Sequence, residues 1–229
     1  MAVLSREEFD AIEFDAVRSG DHASAAEQMS RLAATATETV GMPRSEAFLR
    51  AGEQYLLADD PAAAVGGFRR AMADGGPVFV DPRVPLARAL FQLGRDAEAQ
   101  AHIGRLKAEG PADPRACDLV AELLVDRGDL QGALAWATAG VDLCLHRADQ
   151  DQTDGAGHDG AGHDGARHDG TGPGRNGHDG DHRPQAALAQ QREKSDDTSE
   201  LRLLLSLRYR IRNDLGLAED SYDRMLDEA

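Results

Sequence analysis

The sequence predicts an all-α protein, a row of about five helical hairpins packed one on the next. Three observations carry that expectation. First, hydrophobic residues make up 41% of the chain but aromatic residues only 4%. A core of Ala and Leu suits close helix packing, whereas β-sheet cores draw on β-branched and aromatic side chains. Second, short stretches recur. QLGRDAEAQ (92–100), DRGDLQGAL (126–134) and RSGDHASAA (18–26) each place a Gly, then a charged or turn-forming residue, then an Ala five positions after the Gly. Gly94 and Gly128 lie 34 residues apart, as do Ala99 and Ala133, and a fixed period of this length marks stacked supersecondary units. Third, apolar residues recur at i, i+3, i+4 and i+7, one buried stripe per helix.

The hairpins follow in order. The first begins near Arg6, with Ala16, Ala25, Met29 and Leu32. The second begins at Ser45 and carries Gly52, Tyr55, Ala64, Phe68, Ala71 and Pro77, with Asp59 where other turns have Gly. The third begins at Val80, with Ala87, Leu90, Ala99, Ile103, Leu106 and Pro111. Leu86, Leu90 and Leu93 form its stripe, and Gly94 ends the helix. The fourth begins at Pro114, with Ala121, Leu124, Ala133, Ala137 and Gly140. Its stripe is Leu119, Val120, Leu123 and Leu124, followed by Gly128 and by Asp129 at an N-cap. Pro82 and Pro114 each follow an Asp, the order of an N-cap and a first helical residue. The fifth begins near Ser199, with Ser206, Tyr209, Ala218, Tyr222 and Met225. Leu201, Leu204, Leu205, Tyr209 and Leu215 are its residues for burial. It also carries Arg202, Arg208, Arg210 and Arg212, a basic stripe that pairs either with acidic groups of the same chain or with a partner.

A small residue at repeat position 8, Ala at 20, a bulky apolar residue at 24 and a Pro near 32, in a 34-residue helix–turn–helix period, resemble the tetratricopeptide repeat. The resemblance covers nearly everything except about residues 147–195. The ending is similar to small actinobacterial-type members of the family. Some of those are fused to a zinc-binding motif that needs a Cys-rich cluster, and none stands here, so no metal site follows. The resemblance implies a right-handed α-solenoid whose inner face comes from the first helix of each repeat, at positions 2, 5, 9, 12 and 13. Here these are Glu46, Leu49, Glu53, Leu56 and Leu57, then Asp81, Val84, Arg88, Phe91 and Gln92, then Arg115, Asp118, Glu122, Val125 and Asp126. Glu53, Leu56, Leu57, Arg88, Phe91, Gln92, Glu122, Val125 and Asp126 are the candidate partner-binding residues. A peptide with basic and apolar side chains would complement such a face. Leu56, Leu57 and Phe91 have a second reading, as packing between repeats. Glu53, Glu122 and Asp126 would repel the C-terminal carboxylate that chaperone-binding members of the family grip.

Residues 147–195 break the pattern. GHDGAGHDGARHDG repeats His-Asp-Gly at a five-residue step, and His158, His163, His168, His178 and His182 fall in this stretch. With almost no apolar residue it cannot offset its ordering entropy, so a disordered insert is expected between repeats 1–146 and a final hairpin, 196–229. One reading is a flexible cluster for a transition metal. The other is a solvated spacer, since Gly-rich five-residue spacing holds no ligand in place and supplies no second shell.

Net charge and motifs exclude several classes. A charge of −16 opposes binding to nucleic acid or anionic membranes. Two cysteines, Cys117 and Cys144, in helical patterns point to a reducing cytoplasm. No apolar run suits a signal peptide or a membrane span. No phosphate loop, nucleophile elbow or CxxC is present. His22, His102 and His146 are scattered. The expectation is therefore a cytoplasmic, non-catalytic adaptor without cofactor, a monomer or weak homodimer, with a self-associating scaffold as an alternative.

Overall fold

The computed structural model describes the backbone of residues 3–156 and 183–226 and the side chains of 3–150 and 198–226. Those residues are mostly helical. In order they form β1 (Val3–Ser5), α1 (Arg6–Ser19), α2 (His22–Thr35), β2 (Glu38–Val40), α3 (Arg44–Leu57), α4 (Pro61–Asp74) and α5 (Arg83–Gln92). Then come α6 (Asp96–Glu109), α7 (Pro114–Asp126), α8 (Leu130–Ala156), α9 (Arg183–Asp214) and α10 (Ser221–Met225).

Local chemistry sets the helix ends. Ser5 accepts a hydrogen bond from the Glu8 N–H, Asp21 from Ser24, Asp60 from Ala63 and Asp113 from Arg115. Each cap satisfies a backbone donor that the helix leaves free. Between paired helices the chain reverses through one left-handed residue: Gly20, Asp59, Gly94, Gly128 and Gly216, with φ of 77°, 57°, 70°, 75° and 66°. Asp59 is the one non-glycine among the described residues with positive φ, a conformation that Asp tolerates better than most L-residues. At four of these turns the same long hydrogen bond closes the helix. Asp60 N–H donates to Tyr55 O, Arg95 to Leu90, Asp129 to Leu124 and Leu217 to Arg212.

The small residues sit where helices meet. Gly52, Ala87 and Ala121 are buried on the first helices of their pairs, and Ala64, Ala99 and Ala133 on the second. A Cβ at Gly52 would lie 2.5 Å from the Phe68 ring, and one at Gly67 would lie 3.0 Å from the Gly52 Cα. Successive helices pack on one another from α1 to α6 and again from α7 to α10, while α5 also meets α7, and α7 meets α9. One apolar cluster runs from Leu4 and Phe9 through Phe68, Leu90 and Val120 to Trp136 and Ile211. A second, of Val141, Cys144, Leu204 and Leu205, seats α9 on α8. Full burial of one such Leu or Phe contributes roughly 1.5–3 kcal/mol.

Four features depart from the sequence expectation. β1 and β2 form a short parallel pair, Leu4 opposite Thr39, that ties the chain start to the segment before α3. α8 runs on to Ala156 and α9 starts at Arg183, so helix enters the stretch 147–195 from both sides; residues 157–182, which hold the His-Asp-Gly repeat, lie outside the described residues. In the fifth pair Leu204 and Leu205 are buried as expected, but Ser206, Tyr209 and Ala218 are exposed, and Leu207 and Ile211 face inward instead. The basic stripe is also divided. Arg208 is buried at 4% exposure and donates to Asp220, Asp223 and Thr138, and Arg212 donates to Asp223. Arg202 and Arg210 stay exposed. No described helix is long and apolar enough to cross a membrane.

Two substitutions on α3 and α4 separate packing from propensity. Gly52→Ala drives a methyl into the buried Phe68 ring and is expected to cost about 1–3 kcal/mol. Gly66→Ala, in open space on the next helix, is expected to stabilise by about 0.5–1 kcal/mol. Thermal unfolding of both variants reads the opposite shifts in Tm. Arg208→Ala leaves the buried Asp223 carboxylate without its Arg208 partner and is expected to cost about 3–5 kcal/mol in denaturant unfolding.

Candidate functional site

Three first helices, α3, α5 and α7, line an open groove of about 330 Å³. Helical spacing explains which residues reach it, because positions three or four apart share a face. Glu53, Leu56 and Leu57 come from α3, Val84, Pro85 and Arg88 from α5, and Leu119 and Leu123 from α7, with Val80 from the segment before α5. Leu57 is 61% exposed, whereas Val84 and Leu123 are each at 4%. The groove therefore has an apolar floor, one exposed apolar lip, a carboxylate and a guanidinium.

The charges around α3 are unequal. Arg50 donates to Asp10 and Glu13 of α1, and Glu46 accepts from the Phe79 N–H at 2.8 Å. Glu53 makes no ion pair among the described residues. Its surroundings push its carboxyl up to about 7, first through burial in the concavity, then through Glu46 and Glu13, with Arg50 pulling the other way. The residue is exposed by surface area, since protein atoms crowd it on several sides while its outer edge meets water. That contact with water tempers the shift. On α7, burial raises the Asp118 carboxyl above its usual range, Glu122 adds to this, and Arg210 of α9 opposes it.

The expected site residues divide accordingly. Glu53, Leu56, Leu57 and Arg88 meet in the groove. Gln92, Glu122 and Asp126 are exposed outside its lining, and Val125 is half-buried against the core. Of the two readings given for Phe91, packing is the one the burial supports and partner binding is set aside: it is buried at 7% exposure, its ring covered by the Arg127 guanidinium at 5.0 Å. Sequence reasoning had placed Leu119 and Leu123 in a buried stripe, and they also floor the groove. It missed Val80 and Pro85. It missed, too, the exposure of Phe14 at 70% and Val17 at 72% on α1, an i, i+3 pair readable from spacing alone.

Other reactive side chains have structural settings. His22 Nδ1 meets Gln54 Oε1 at 2.8 Å, and His146 is exposed. His102 Nδ1 is buried with no hydrogen-bond partner, and burial lowers its pKa. Burial pushes the Cys117 thiol up to about 12, which suppresses the thiolate a nucleophile needs. Among the described residues no group of three or more His, Cys, Asp or Glu side chains could hold a metal ion.

Fold and site together define a helical protein whose first helices share one apolar, charge-edged groove. Comparison with protein-family models, with curated proteins and with solved structures finds no match for this chain.

Glu53 gives a pH signature. A carboxyl raised in the folded state holds its proton more tightly folded than unfolded, so stability falls as pH rises from about 4.5 to about 7. The difference in unfolding free energy between the wild type and Glu53→Gln is expected to change across that window and to be flat below it. Denaturant unfolding at stepped pH checks this.

Proposed function

We propose that the chain is a non-catalytic adaptor of tetratricopeptide-like architecture that holds a protein segment in the α3–α5–α7 groove. The observation that carries this reading is the convergence of Leu56, Leu57, Val84 and Leu119 beside Glu53 and Arg88 in one open concavity. An apolar floor excludes water from the segment it holds, and edge charges fix the segment's register. The excess of carboxylates around α3 favours a segment with a Lys or Arg beside its apolar side chains. The two buried cysteines, neither in a disulfide, fit a reducing cytoplasm as the place of action.

A random peptide library displayed against the full chain tests the reading. Peptides enriched on the wild type should combine apolar residues with a cation. They should lose at least about tenfold in affinity, or 1.4 kcal/mol, for Leu57→Asp/Arg88→Glu. Peptides that hold both proteins equally, or no enrichment at all, would remove the groove from the function.

A further inference from the structure

The inner helices carry charge in an alternating order. Along the row α3, α5, α7 and α9 stand Glu53, then Arg88, then Asp118 with Glu122, then Arg210 with Arg202. The row is physical: α3, α5 and α7 share the groove, and α7 packs on α9. Asp118 and Glu122, four residues apart, share one face of α7, α9 packs against that helix, and Arg210 is exposed on α9, near enough to act on Asp118. Glu53, Arg88, Arg202 and Arg210 are exposed, and none of them joins the ion pairs formed among the described residues.

The far end of the row also has an apolar lip. On α9, Arg202, Leu203, Ser206, Tyr209 and Arg210 fall in one arc at 3.6 residues per turn. That arc is exposed and lies opposite the buried Leu204, Leu207 and Ile211. Leu203 is 61% exposed, as is Leu57 at the α3 end. The face thus ends in one exposed Leu beside a carboxylate and another beside guanidinium groups.

We propose that a second copy of this chain docks on this face about a two-fold axis between α5 and α7. A two-fold axis in the contact plane and perpendicular to the row reverses the row, so that residue i meets j and j meets i. The order minus, plus, minus, plus then lies against plus, minus, plus, minus. Glu53 faces Arg210 of the second copy, Arg88 faces the Asp118–Glu122 pair, and Leu57 meets Leu203. An unreversed pairing would set like charges together, which costs energy. The contact closes at two chains, because each copy uses the same surface once. This goes beyond the adaptor reading: the second copy covers the groove that a peptide would enter, and the protein alone reports it.

Sedimentation equilibrium of the full chain, from low micromolar to near-millimolar concentration, tests the proposal. The mass is expected to rise from one chain to two and no further, and the dimer to weaken as salt screens its charges. Arg210→Glu and Glu53→Arg should each weaken the dimer at least tenfold. The combined variant Glu53→Arg/Arg210→Glu, which exchanges the two charges, should restore it. All these positions are exposed, and matching circular-dichroism melting curves confirm that the variants fold. A one-chain mass throughout would overturn the proposal. So would open-ended growth, a dimer indifferent to both single variants, or a double variant no tighter than either.

Discussion

The fold depends on how closely two helices can approach. At α3 and α4 the backbones come together because Gly52 and Gly67 present no side chain, and the Phe68 ring lies flat in the space that a Cβ would occupy. Ala64 serves the same pair, and Ala99 and Ala133 keep the helices of the later pairs within reach of each other. The approach needs a tight reversal, and the left-handed residue supplies it at each of five turns. Interior packing at crystal-like density leaves little freedom to move one pair alone. Once the pairs are fixed, their first helices line up and the groove follows as a consequence.

Charge does a second structural task. The chain is strongly acidic, and all but two of its 25 basic residues are Arg. The guanidinium fork can hold two acceptors at once, which an ammonium does less well. Arg50 joins α3 to Asp10 and Glu13 of α1, Arg69 joins α4 to Glu98 of α6, and Arg115 joins α7 to Glu200 of α9. Arg208 and Arg212 are shared between Asp220 and Asp223, locking α10 to α9. The side-chain hydrogen bond from Arg208 is the main reason the Asp220 carboxyl falls to about 2, so this lock keeps its charge across the physiological range. Exposed bridges of this kind contribute little one by one, whereas the buried Arg208–Asp223 pair would be costly to break from one side.

Much of this was legible in the sequence. The turn at Asp59 was readable because the repeat showed Gly at the same place elsewhere. The cap at Asp113 was readable because it precedes a Pro; the same reading at Asp81–Pro82 is one residue early, since α5 starts at Arg83, although Asp81 still accepts from the Arg83 N–H. Other features left no pattern. The β1–β2 pair is three residues long and rests on backbone hydrogen bonds between segments about 35 positions apart, so side-chain alternation could not reveal it. Phe91 shares its arc with Arg88, yet it joins the apolar core and Arg127 from the next turn lies over its ring. Arg208 sits in a run of alternating arginines, and nothing local says that Asp220 and Asp223 fold back onto it. Periodicity fixes which residues share a face. Which faces are covered is decided by distant chain.

Glu53 shows how the groove's electrostatics and its occupancy are linked. The concavity around it, with Glu46 and Glu13 nearby, pushes its carboxyl up toward about 7, and contact with water tempers that shift, so Glu53 is partly ionised at neutral pH and fully so beside a cation. An empty groove therefore carries less negative charge on its α3 wall than the sequence suggests, which lowers the cost of placing apolar side chains there. A cation brought to Glu53 favours the ionised form and releases the proton. The gain from that ion pair is offset by the deprotonation it requires, so the apolar floor supplies the affinity and Glu53 supplies orientation. Arg88 supplies a guanidinium to the opposite wall, a group that is cationic in proteins by its nature. The groove thus has one fixed charge and one conditional charge, and an occupant's orientation is set by which of the two it satisfies.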